Sequence, residues 1–374
     1  MDFRYISQHF STLFISDISW IYNNSCLIMN KKLWIETDYF SQFKCKADKC
    51  KRCCCSGWVI PVSKKEYYKL LTLDCSKQLA DKIESCFVSP DFPTEERYRI
   101  ISPNYLGNCP MLDENGLCMI HKELGPEALA QVCNSYPRSL KKVNNIYQAN
   151  CSNSCEAVVE LLLSKDKLTF KAVESNDSPN IYVNTNEDLT SVAMYFTQII
   201  QDRALPLNKR IGKIVHYLNN NDIDNNDSLF GFKQVLNFVT TVSVNSQIYD
   251  EFKEKLLSSY TLDEDGLNKY KQDELEFENN YPNWMIYFEN IIINHLYYMD
   301  IPYVDSRINP KDCTEGLCLG YGLMKLICSC MTKQDHSLEN LVYVISDIFH
   351  LVEHTPFYYN AHILIKDETS LLNI

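Results

Sequence analysis

The segment from Cys45 to Trp58 reads Cys-Lys-Ala-Asp-Lys-Cys-Lys-Arg-Cys-Cys-Cys-Ser-Gly-Trp, with five cysteines (Cys45, Cys50, Cys53, Cys54 and Cys55) in one short run. A packed core has no need of thiols at this density. A metal ion or an iron–sulfur cluster does, because several thiolates must converge on one point. The flanks are basic, with Lys44, Lys46, Lys49, Lys51 and Arg52 set against Asp48 alone. Nearby cations favour the thiolate, the form that ligates a metal. Gly57 permits a tight turn, and Trp58 is expected to shield one side of the site from water.

A second chemical stretch runs from Asn108 to Pro137. Its Asp113-Glu114-Asn115-Gly116 turn predicts a short hairpin with Cys109 and Cys118 on adjacent strands. A helix from about Pro126 would then present Cys133, with Pro137 ending it. Cys45, Cys50, Cys54, Cys55, Cys109, Cys118 and Cys133 are therefore the candidate metal ligands of a site closed between two distant segments. Spacing does not separate zinc from iron–sulfur, since both accept Cys-rich shells. Free core thiols are the plainer alternative, as unpaired Cys is often buried. Density and basic flanks weigh against it. His121, three residues after Cys118, reads as an ordinary surface or hydrogen-bonding residue.

Of 17 cysteines in 374 residues, most precede residue 156. Secreted disulfide scaffolds are short and follow a signal peptide. This chain is long, and three adjacent cysteines make a poor disulfide framework, so a reducing cytoplasm is expected. A net charge of −12 argues against a nucleic-acid surface and suits a basic partner such as a lysine-bearing protein. No membrane span is visible. Residues 1–28 make a poor signal peptide and read as a leader outside the natural chain, with Met29 as its start.

The fold expected is mainly α: a cysteine-rich half with a short hairpin over 29–171, a polar linker over 172–188, and a helical half over 189–374. Ser63 with Glu66 predicts a capping box, Ser76 a second helix start, and Ser154 the N-cap of a helix carrying Ala157, Val158, Leu161 and Leu162. Beyond the linker, apolar residues recur at helical spacing over 189–205, 207–218, 229–242, 249–260, 284–298, 317–331 and 338–352.

Two further motifs are weaker. His350-Leu-Val-Glu353-His354 matches the H-x-x-E-H pattern of inverted zinc peptidases, but a third ligand is hard to place, and a polar helix end is the better reading. Cys313, Cys318, Cys328 and Cys330 lie among Gly316, Gly320 and Gly322, before a helix expected near Leu323. The Rossmann spacing is absent, so a helix–helix corner is expected. No Walker loop, nucleophile elbow or kinase signature is present.

Phe43-Lys44-Cys45, Cys50, Cys54-Cys55-Ser56-Gly57-Trp58, Cys109-Pro110-Met111-Leu112, Gly116-Leu117-Cys118-Met119-Ile120, Cys133-Asn134-Ser135-Tyr136-Pro137-Arg138 and Ser154-Cys155-Glu156-Ala157 together resemble the flagellin lysine-N-methylase family. This half also resembles a broader set of cysteine-rich zinc- or iron-chelating proteins. The resemblance covers Phe43 to Ala157; beyond it the likeness is only a helical tail. Cys53 is an extra cysteine, and Ser154-Cys155-Glu156 lacks the proline expected between Cys and Glu. With Cys155 added, eight cysteines are candidate ligands. The resemblance implies methyl transfer from S-adenosylmethionine to lysines of flagellin, with a four-iron, four-sulfur cluster as cofactor. An attacking lysine must lose its proton, for which Glu156 and Tyr136 are candidates. Arg138 is a candidate partner for the donor's carboxylate. The alternative is a non-catalytic zinc- or iron-binding protein whose cysteines hold the fold.

Overall fold

The structure is a computed structural model and describes residues 32–371, apart from 53, 57–58, 106, 144–145, 176–182, 186–188, 220–230 and 243–245. The expected leader over 1–28, and Cys53, Gly57 and Trp58, lie outside the described residues.

The chain is mainly α, but its first half is built on two small sheets. Strand β1 (Lys32–Thr37) pairs in parallel with β6 (Ile146–Cys151), and β6 pairs antiparallel with β5 (Arg138–Val143). Strands β7 (Phe170–Ser175) and β8 (Val183–Thr185) close the two edges, giving the order β7-β1-β6-β5-β8. Part of the stretch expected as a linker is thus strand. Trp34 and Ile35, adjacent in β1, are both buried. A central strand covered on both faces loses the polar–apolar alternation that would announce it.

The second sheet, in the order β2-β4-β3, joins β2 (Ile60–Val62), β4 (Arg99–Ile101) and β3 (Phe87–Val88). Helix α1 (Lys64–Leu71) starts at the predicted capping box, with Ser63 accepting from the Glu66 N–H and Glu66 accepting from the Ser63 N–H. Helix α2 (Lys77–Cys86) is capped by Ser76 and buries Leu79 and Ile83. Short helices α3 (Met119–Leu124) and α4 (Gln131–Ser135) complete this lobe, and its core is separate from that of the rest.

After α5 (Glu156–Leu163) come α6 (Leu189–Ile200), α7 (Leu207–Asn219), α8 (Phe232–Thr241), α9 (Gln247–Ser259), α10 (Glu264–Asn280), α11 (Trp284–Tyr298), α12 (Pro310–Met331), α13 (Leu338–His354) and α14 (Phe357–Leu371). Helices α10 and α14 were not expected. Helix α12 begins at Pro310, capped by Asn309, so its glycines are inside the helix rather than before it. It packs against α7, α8, α9, α10, α13 and α14. A helix surrounded this way is buried on many sides, Asp312 and Lys325 included, so a clean one-sided apolar stripe is missing. An added Cβ at Gly316 would stand 2.8 Å from the Tyr358 ring, so glycine lets α14 approach. Cys313, Cys318, Cys328 and Cys330 are buried in this helix as core thiols. Among the described residues no helix is long and apolar enough to cross a membrane.

The large core does not respect the expected division. Tyr39, Phe43, Cys151 and the inner face of α5 share it with α6 to α14. The cysteine-rich half is seated on the helical half through α5, which packs on α11 and α13.

Candidate functional site

The candidate cysteines fall into two neighbouring sets. In the first, the Cys109 N–H donates to the Cys55 carbonyl at 2.8 Å, and the Ser56 hydroxyl donates to Asn108 Oδ1 at 2.6 Å. The Asp113–Gly116 turn forms, with Asp113 Oδ1 accepting from the Asn115 and Leu117 N–H groups. Its arms meet in a single bridge, Leu112 with Cys118, rather than in regular strands. Cys118 stands at the N-terminus of α3, and Cys133 rides on α4. Burial pushes the Cys133 thiol up to about 12, helped by Cys109 and Cys118 beside it. Cys55, Cys109, Cys118 and Cys133 all border the small core. His121 is exposed on α3.

The second set is Cys45, Cys50 and Cys155, with Cys54 near Cys155 through Tyr136. Burial pushes Cys155 up to about 12, against the pull of the α5 N–H groups, and Cys50 and Cys45 add to the rise. Burial, then Glu156, pushes Cys50 up to about 11, with Lys46 acting the other way. The basic flank therefore does not hold Cys50 as a thiolate. Two of its cations are paired with carboxylates: Lys46 with Glu160 at 2.5 Å and Glu156 at 3.5 Å, and Arg52 with Asp347 and Glu251. A cation paired with a carboxylate offers a neighbouring thiol little net field.

Beside the second set runs a buried polar seam between the two halves. The turn Ser152-Asn153-Ser154 is wholly buried. Glu353 accepts from the Ser152 hydroxyl and from the Asn153 N–H, and its other oxygen meets His295 Nδ1 at 2.9 Å. His295 Nε2 is 2.7 Å from the Tyr358 hydroxyl. Ser154 shares hydrogen bonds with Ser152, with Tyr136 at 2.9 Å and with His354 Nε2 at 2.7 Å. Ser154 is thus not the cap of α5. Cys155 occupies that position, because the Ser154 hydroxyl is committed to the seam. The His350–His354 motif is the polar end of α13, as expected, but it is buried, and Glu353 and His354 join the helix to the turn.

Tyr136 is raised well above the ordinary tyrosine range by burial and by Cys155 and Cys54. Glu156 is buried, accepts from the Arg52 N–H at 2.9 Å and faces Lys46. Arg138 is exposed on β5, its guanidinium 4.7 Å from the Phe43 ring centroid. Among the described residues no three His, Cys, Asp or Glu side chains converge closely enough to hold a metal ion. The donor chemistry of both sets fits a thiophilic metal or an iron–sulfur cluster, though the thiols must draw together to enclose one.

Residues 221–373 match the family model of the FliB lysine N-methylase C-terminal domain. The flagellar biosynthetic protein FliU of Salmonella muenchen is 30% identical over 130 residues, which are 34% of this chain and 76% of that protein. The chain belongs to the FliB lysine N-methylase family. Lysine-N-methylases of Salmonella choleraesuis and Salmonella typhimurium are 31% and 30% identical over 131 and 130 residues. Those alignments cover 34% of this chain and 32% of each relative, so the chain spans about a third of their length. No solved structure matches.

In this FliB-family chain the family signal extends into the helical half, which the cysteine motifs do not reach. Sequence reasoning also missed Asp347 and passed over Glu353 as part of a polar helix end; these are the two buried carboxylates of α13 that receive the cysteine-rich half. A buried acid on an apolar helix was the available signal, since such groups are rarely buried unless paired.

Proposed function

We propose that this chain transfers a methyl group from S-adenosylmethionine to lysine side chains of a flagellar protein, with flagellin as the substrate. Membership of the FliB lysine N-methylase family carries this reading. The two thiol sets support a four-iron, four-sulfur cluster or zinc as the resident group, with ligands drawn from Cys45, Cys50, Cys54, Cys55, Cys109, Cys118, Cys133 and Cys155. Bound there, the group would tie the segments together, its binding energy becoming folding energy.

The transfer itself needs little from the protein beyond placement. The lysine nitrogen lone pair attacks the methyl carbon, the carbon–sulfur bond breaks toward sulfur, and S-adenosylhomocysteine leaves as a neutral thioether. The amine must first lose a proton. Burial holds Tyr136 protonated. Glu156, an acid beside Cys50 and Cys155, is the proposed acceptor at its carboxylate oxygens. The net charge of −12 favours approach of lysine-bearing protein.

The test is to incubate purified full chain, prepared anaerobically and assayed for iron and sulfide, with flagellin and donor carrying a labelled methyl group. Label on flagellin lysines is the expected result. A well-folded protein with a full complement of metal that leaves flagellin unlabelled overturns the catalytic reading and leaves a metal-binding module.

A further inference from the structure

We propose that Arg52 is a positioning residue through which the helical half sets the placement of Cys50 and Cys54; its bearing on activity rests on the thiol site proposed above. Arg52 lies between Cys50 and Cys54, in a loop whose one regular feature among the described residues is a short 3-10 turn, Ala47–Lys49. Its Nε donates to both oxygens of Asp347, at 2.8 and 3.0 Å. Its Nη2 donates to Glu251 Oε2 at 2.9 Å and to the Tyr343 hydroxyl at 3.0 Å. Its own N–H donates to Glu156 Oε1 at 2.9 Å.

Three helices therefore grip one residue: α13 through Asp347 and Tyr343, α9 through Glu251, and α5 through Glu156. Asp347 has only 3% of its side chain exposed, and Arg52 16%. A guanidinium fork fixes direction as well as distance, which a lysine ammonium does not. Withdrawing Arg52 would leave a carboxylate buried without its partner, so the closed position of the loop is strongly preferred. Cys50 and Cys54, two residues to either side, are placed by that grip. Lys51, 5.4 Å from the Tyr343 ring centroid, follows the same path.

The test reads thiol reactivity in the metal-free full chain, with iodoacetamide alkylation mapped by mass spectrometry. In Arg52→Ala, Cys50, half-buried in the folded chain, is expected to react about tenfold faster or more relative to the exposed Cys45, because local opening is what exposes a protected group. Cys313, Cys318, Cys328 and Cys330, buried in α12, are expected to stay protected and so report that the fold survives. Arg52→Lys is expected to fall between, restoring charge but not the fork. A Cys50 that reacts at the wild-type rate in Arg52→Ala while the α12 thiols stay protected overturns the proposal. If Arg52→Ala exposes the α12 thiols as well, the Glu251→Gln, Tyr343→Phe double variant decides, since it leaves the Arg52–Asp347 pair in place. Faster Cys50 alkylation alone then supports the clamp, and unchanged Cys50 alkylation overturns it. Zinc uptake is measured in parallel. Wild type that takes up neither zinc nor iron removes the thiol-site reading but leaves the alkylation comparison standing. Wild type that binds metal, beside an Arg52→Ala variant unchanged in both uptake and alkylation, removes the clamp alone.

Discussion

At the scale of single residues, cysteines of one composition do different work according to place. Cys118 and Cys133 border the small lobe's core beside Cys109, whereas Cys328 is fully buried in α12. Cys118→Ser is expected to lower metal content and melting temperature together, because binding energy at such a site is folding energy. Cys328→Ala should leave metal content unchanged and cost only the packing of one sulfur; metal analysis alongside thermal melting separates the two. Glu353 is the most heavily used carboxylate of the seam. Glu353→Ala would strand the Asn153 N–H and remove one partner each from the Ser152 hydroxyl and His295, and a loss of about 3 kcal/mol is expected from urea unfolding. His350, three residues before it on the same helix, carries a pH signature. Burial, then His354 and Arg52, hold it down at about 3, below its ordinary 6.5. Below pH 6.5 the unfolded chain takes a proton that the folded chain refuses. The stability His350 contributes is therefore complete above 6.5 and is lost as pH falls toward 3, at up to about 1.4 kcal/mol per pH unit. His350→Leu is expected to flatten that slope in urea titrations at pH 5 and 7; an unchanged slope counts against it.

Among the elements, α12 shows how a glycine's sign depends on its neighbours. At Gly316 a methyl group meets the Tyr358 ring at 2.8 Å, and His295 holds the Tyr358 hydroxyl in place. Gly316→Ala is expected to destabilise by about 1–3 kcal/mol through overpacking, despite alanine's better helix propensity. Gly212, inside α7, has nothing within 4 Å of an added Cβ, so Gly212→Ala should raise stability by about 1 kcal/mol. Thermal melts of the two variants should move in opposite directions. The same local logic decides what could be read from sequence. Helix α11 was legible at both ends because apolar residues recur at helical spacing from Trp284 to Tyr298. Helix α10 was not: its exposed acidic face dilutes the stripe, and only Gly266, Asp273 and Phe277 are buried. Strands β5 and β6 were hidden because Lys141, Gln148 and Asn150 are buried polar residues where alternation asks for apolar ones. Thiol density drew attention to the candidate cysteines. Their partition into two sets did not show, because the partners that place them are remote: Arg52 and Asp347 are 295 residues apart.

Over the whole molecule, the question is whether the cysteine-rich half and the helical half are separable. Their sequences suggest it, since chemistry is concentrated before residue 156 and plain helices follow. The packing says otherwise. Tyr39 is fully buried and its hydroxyl reaches Asn294 of α11 at 2.6 Å, while Asn294 Nδ2 donates to the Cys151 carbonyl at 2.8 Å and Asn153 Oδ1 at 2.7 Å. Asn290 of the same helix donates to the carbonyls of Leu162 and Lys165 and accepts from the Leu168 N–H. Backbone groups of the first half thus find their partners on a helix of the second. Cutting the chain between them would leave buried amides and carbonyls facing water-free apolar surface, at roughly 1–3 kcal/mol for each group left unpaired. It would also expose the apolar faces of α5, α11 and α13. A fragment of residues 189–374 is therefore expected to be aggregated or molten rather than cooperatively folded, and the full chain to lose both halves of the shared core in one transition. Hydrogen exchange read by mass spectrometry checks this directly. Peptides from α5 and α11 should lose protection at the same denaturant concentration, whereas α1 and α2, which pack on the separate small core, should open earlier. Protection of α11 that outlasts that of α5 by a wide margin would mean that the seam joins two independent domains.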